Sequence, residues 1–110
     1  MADSDPWEMV DEFGANANTK ITFRNGPTLK LPLGAVKELA SHIHDAVQFG
    51  KNSAQPIGTD AGEEITVSIH NKTVAIQVWS PDSHTQSVDL TRTQAKSLIK
   101  DLEGFVAIAA

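Results

Sequence analysis

Four histidines, one Glu-Glu pair, a Ser-His pair and one glycine-bearing loop are the residues of this chain whose types could do chemistry. His42 and His44 are two apart in a helical pattern and so project about 200° from each other, which prevents them from sharing a metal ion. His70 and His84 fall near strand ends, where one particular strand order could bring them together with Asp82. No ligand spacing of a known zinc motif is present, and with no cysteine in the chain thiolate sites, disulfides and a Cys nucleophile are excluded. Ser83-His84 adjacency is not a nucleophile–base geometry, and no Gly-x-Ser-x-Gly elbow accompanies it. Glu63-Glu64 sits beside a polar loop, without the desolvation that tunes a carboxyl for acid–base work. Gly58-Thr59-Asp60-Ala61-Gly62 lacks the Gly-Lys-Ser/Thr ending of a phosphate loop and precedes a strand, so it reads as a linker. The expectation is a protein that is not an enzyme and carries no cofactor or metal.

Large apolar side chains offer a second kind of chemistry, that of recognition. The segment Asp5 to Phe13 combines Trp7, Met9, Val10 and Phe13 with Asp5, Glu8, Asp11 and Glu12. Asp5-Pro6-Trp7-Glu8 has the form of a helix start: an N-cap, a proline at the first position and a Glu that completes a capping box. The expectation is a short acidic amphipathic helix, either docked on its own domain beside Trp79 or presenting Trp7, Val10 and Phe13 to a protein partner. Trp79 falls on the polar face of its strand and is read as an interface anchor or as a surface covered from within the chain.

The elements that must position these residues follow from periodicity. Residues 29–49 and 88–108 share one pattern, a short strand and then an amphipathic helix. Val36, Leu39, Ala40, Ile43, Ala46 and Val47 stand against Ala95, Leu98, Ile99, Leu102, Phe105 and Val106. Ile21-Thr22-Phe23 and Leu29-Lys30-Leu31 alternate around Asn25-Gly26-Pro27. A three-residue loop over Asn25 to Pro27 pairs Phe23 with Leu29 and Ile21 with Leu31. Pro32 opens the first long helix. Residues 50–64 form an unpatterned, mobile connection. Ile65 to Trp79 reads as a hairpin turning at Asn71-Lys72, with Ile69 opposite Val74, Val67 opposite Ile76 and Ile65 opposite Val78. After a turn at 80–83, His84 to Leu90 is a further strand, and Thr91 with Gln94 caps the last helix.

The predicted fold is therefore α+β: two helices on one face of a twisted antiparallel sheet of about five strands, in pseudo-repeated ββα halves, preceded by the short helix. Residues 1–18 are the acidic segment. Residues 19–110 are one domain, with halves 19–49 and 65–108. The Val88–Leu98 strand-to-helix junction resembles that of many small bacterial and bacteriophage proteins over about a tenth of the chain; this implies no activity.

The chain has 110 residues and a net charge of −5. Asp3, Asp5, Glu8, Asp11 and Glu12 account for all of that excess, since the remaining nine acids balance all nine bases. A neutral body lacks the basic footprint of a nucleic-acid binder. No apolar run is long enough to span a bilayer, and the N-terminus is acidic where a signal peptide is basic. These features suggest a cytoplasmic protein without membrane or nucleic-acid partners. The leading expectation is a regulatory protein that binds another protein, in the manner of a small inhibitor, immunity protein, antitoxin or phage accessory factor, with homodimerisation through a sheet edge or face. The alternatives are a virion structural or assembly protein, or a small-ligand module. The latter would have a cavity between sheet and helices lined by His70, Gln77, His84 and Thr85.

Overall fold

A computed structural model describes residues 5–59 and 61–109, without the side chains of Ser83 and His84. Seven strands and two helices follow in the order β1 (Trp7–Glu12), β2 (Asn18–Phe23), β3 (Thr28–Pro32), α1 (Leu33–Phe49), β4 (Ile57–Gly58), β5 (Glu64–His70), β6 (Thr73–Ser80), β7 (Ser83–Thr91) and α2 (Arg92–Ala109). The α+β class is as expected, but the strands form two antiparallel sheets, β1-β2-β3 and β4-β5-β6-β7, in place of one sheet of five. Each half is a three-stranded meander followed by a helix, and β4 is an addition to the second. The helices pack on each other. Helix α1 lies against β2 and β3 of the first sheet and β4, β5 and β6 of the second, while α2 lies against β6 and β7. A single core results, with Ile21, Leu29, Leu31, Leu39, Ile43, Ile65, Ile76, Leu98 and Leu102 fully buried.

The expected N-terminal helix is a strand. A helix of about two turns is marginal in water, whereas β1 finds a full ladder on β2, from Trp7↔Phe23 to Glu12↔Asn18. Alternation then sends Trp7 and Met9 inward and Glu8, Val10 and Glu12 outward. Trp7 is only 7% exposed, and its ring meets Phe23 edge-on at 6.4 Å.

Local signals elsewhere act as read. The β5–β6 register is Ile65↔Val78, Val67↔Ile76 and Ile69↔Val74, and Asn71 takes the left-handed conformation at φ 58°. Thr91 and Gln94 form a reciprocal capping box, with Gln94 N–H donating to Thr91 Oγ1 at 3.1 Å and Thr91 N–H to Gln94 Oε1 at 2.9 Å. Pro32 precedes α1, and Gly50 ends it at φ 64° with its N–H on the Ala46 carbonyl.

The first hairpin differs by a shift of the loop. Ile21 pairs with Leu29 and Thr19 with Leu31, so the loop is Arg24–Asn25–Gly26. Asn25 supplies the positive φ of 57°, and the Phe23 N–H donates to the Pro27 carbonyl, a bond that needs no N–H from proline. The shift is by two in register, so the same apolar side chains still point inward. A Cβ on Gly26 would lie 3.2 Å from the Cβ of Phe23 and 3.3 Å from that of Val88. The hairpin tip thus touches β7 at the one residue without a side chain.

The 50–64 connection is not a loose loop in this fold. Ser53 N–H donates to the Val67 carbonyl at 2.8 Å, Val67 N–H to Ser53 Oγ at 3.0 Å, and Ile69 N–H to Asn52 Oδ1 at 2.9 Å. Ile57, buried, pairs with Ile65.

Candidate functional site

The candidate site is a groove between helix α2 and the edge of β1 that no further strand pairs with among the described residues. Arg24 N–H donates to the Pro6 carbonyl, which fixes the alternation of the ladder. Glu8, Val10 and Glu12 exchange bonds with β2, and the N–H and C=O groups of Trp7, Met9 and Asp11 point away from it. Across from that edge, α2 presents Lys100, Asp101, Gly104, Phe105 and Ile108 at the one-turn spacing of a single helix face. Together they enclose an open groove of about 420 Å³. Ile108 is 70% exposed, and a Cβ at Gly104 would meet nothing within 4 Å, so the helix wall is recessed at its centre.

Three carboxylates line the groove, and each is held by a neutral donor. Trp7 Nε1–H donates to Asp101 Oδ2 at 3.0 Å, Ser97 Oγ–H to the carboxylate of Asp5 at 3.3 Å, and Thr19 Oγ1–H to Asp11 Oδ1 at 2.6 Å. Thr19 is fully buried, so its hydroxyl is a fixed support. None of the three is in an ion pair among the described residues, where the one such contact is His44 with Asp45 at 3.8 Å. Lys100 is the single cation on the groove wall.

The residues expected to meet a partner are dispersed. Trp7 is buried in its own domain and acts as a strut between β1 and α2. Phe13, just past β1, stacks on Phe105 at 5.6 Å while remaining half exposed beside the groove. Val10 is 61% exposed but on the opposite, outer face of β1, in one row with Lys20 and Lys30. Trp79 lies on the other sheet, opposite Glu64, and is 47% exposed; the N-terminal segment docks on α2 and not over it.

The residues of the small-ligand alternative do not converge either. Gln77 and Thr85 are exposed, and Gln77 occupies the outer face between Thr66 and Ser87. His70 is at the Thr73–Thr91 end of the sheet, whereas the backbone of His84 follows the turn at the other end; its side chain lies outside the described residues. The space between this sheet and the helices is occupied by Ile65, Val67, Val74, Ile76 and Val78. Within the Gly58–Gly62 segment Thr59 N–H donates to the Glu63 carbonyl and Gly62 N–H to the Thr59 carbonyl, and the adjoining Glu63 N–H donates to Thr59 Oγ1. Among the described residues no three His, Asp or Glu side chains converge to hold a metal ion, and no helix is long and apolar enough to cross a membrane.

The groove is not legible in the sequence, because its two walls lie far apart in the chain, as in the Trp7–Asp101 bond across 94 positions. No protein-family model matches the chain, and no curated protein matches it in sequence.

Proposed function

We propose that this is a non-enzymatic, cytoplasmic regulatory protein that acts by binding another protein, and that the groove between β1 and α2 is its binding surface. The observation that supports this reading most is the strand edge at Trp7, Met9 and Asp11, unpaired among the described residues and set opposite a recessed helix face with exposed Ile108. A strand edge presents backbone donors and acceptors to which a further strand can add, and the acids of β1 select which strand does so. Exposed Ile108 and half-exposed Phe13 add the apolar area that anchors a contact.

The test compares partners captured from host lysate by the intact chain, by Ile108→Ser with Phe13→Ala, and by Trp79→Ala. A partner identified with the intact chain and lost with the paired groove substitution supports the reading. A partner lost only with Trp79→Ala moves the surface to the second sheet. Light scattering on the same proteins reports whether any self-association depends on Trp79.

A further inference from the structure

We infer that the occupant of the groove is an extended, positively charged peptide segment, with cationic and apolar side chains in alternation, that adds to β1 as a fourth strand of the first sheet. This deepens the assignment of the groove as the binding surface and rests on it. The bare N–H and C=O groups of Trp7, Met9 and Asp11 specify an extended backbone, because only a strand meets donors and acceptors at that two-residue repeat. Charge specifies the rest. On the inner side, Asp5, Asp11 and Asp101 are oriented by an indole and two hydroxyls, which fix the carboxylates without neutralising them. On the outer side of the same strand, Glu8 and Glu12 flank Val10. An added strand alternates its side chains between these two faces. Those facing outward meet Glu8 and Glu12 and should be Lys or Arg. Those facing inward meet Ile108 and the recess at Gly104 and should be apolar, with a cation where they pass Asp101.

A second copy of this chain is the wrong occupant. Pairing β1 with itself brings two acidic strands together; with Met9 opposite Asp11 it sets Glu8 directly against Glu12 on both sides of the two-fold, and like charges across a ladder are unfavourable.

The experiment is a titration of the full isotope-labelled chain, followed by NMR, with a capped seven-residue peptide alternating Lys and Val. The controls replace every Lys by Glu or methylate the central backbone nitrogens. The expected result is saturable binding of the Lys peptide with slowed exchange of the Met9 and Asp11 amides, weakened about tenfold by raising salt from about 50 to about 300 mM. The methylated peptide should lose most of the affinity and the Glu peptide all of it. Gly104→Gln, which fills the recess, should weaken binding; Lys100→Glu, which removes the single cation of the wall, should tighten it. Equal binding of the Glu peptide, binding without protection of Met9 and Asp11, or no binding of the Lys peptide each overturns the inference. If the last occurs while the groove substitutions still abolish capture of the cellular partner, the groove remains the binding surface and only its basic-strand occupant is wrong. If those substitutions leave capture intact, the surface itself is misassigned.

Discussion

Strands β1 and β5 hold the same place in the two halves of the molecule, each opening a three-stranded meander that ends in a helix, yet their outer edges are treated in opposite ways. The edge of β5 is sealed residue by residue: Ile65 by Ile57, Val67 by Ser53 and Ile69 by Asn52. The edge of β1 has no such partner among the described residues and borders a groove lined by Asp5, Asp11 and Asp101. The sealed edge is the work of the 50–64 connection, which sits only in the second half, so the open edge is the simpler state of the repeat and the sealed one its elaboration.

Substitutions put this contrast to the test. Trp7→Ala should have the largest effect, since β1 lacks a second neighbour and depends on Trp7 for its burial against Phe23 and its bond to Asp101. A loss of ~3–5 kcal/mol is expected in urea unfolding, with β1 amides exchanging first. Gly26→Ala should follow, at ~1–2 kcal/mol. Its new methyl would meet two Cβ atoms fixed to backbone and push the first hairpin off Val88. Thermal melts would register this as a lower midpoint.

Asn52→Ala makes β5 more like β1 by unsealing Ile69, at ~1 kcal/mol. Before the substitution the amides of Val67 and Ile69 should exchange more slowly than those of Met9 and Asp11; afterwards Ile69 should approach the β1 rate while Val67 keeps its protection. The smallest effect is a gain. Gly104→Ala adds a methyl into open space within a helix and should stabilise by ~0.5–1 kcal/mol, leaving the exchange of both edges unchanged.

Much of this architecture is legible in the sequence because it is written locally. The Thr91–Gln94 box, the Pro32 start of α1 and the alternation through Ile65–Val78 need only near neighbours, and each appears as read. Trp7-Glu8-Met9-Val10 carried two local signals at once, a helix-start signature from Asp5-Pro6 and an alternating strand pattern. Tertiary pairing with β2 decided for the strand. The pseudo-repeat itself held the missing clue, since a half built as three strands and a helix at 64–109 implies three strands before α1 as well. The sealing of β5 was less accessible, as Asn52 and Ser53 look like ordinary loop residues until their partners on β5 are known. So was the groove, whose carboxylates are spread over Asp5, Asp11 and Asp101 and read separately as a solvated tail and a helix surface.

The bond from Trp7 to Asp101, and that from Ser97 to Asp5, join the first strand to the last helix. They also set an order of events during synthesis. A chain emerging from its N-terminus can form the β1–β2–β3 meander and α1 early, but the indole of Trp7 has no acceptor until α2 has left the ribosome. Until then the ring of Trp7 can meet Phe23, but its N–H has no partner and the side that α2 covers stays open. The indole signal of Trp7 is therefore a natural clock for completion of the domain, and a nascent chain stalled before Asp101 should still show it wet.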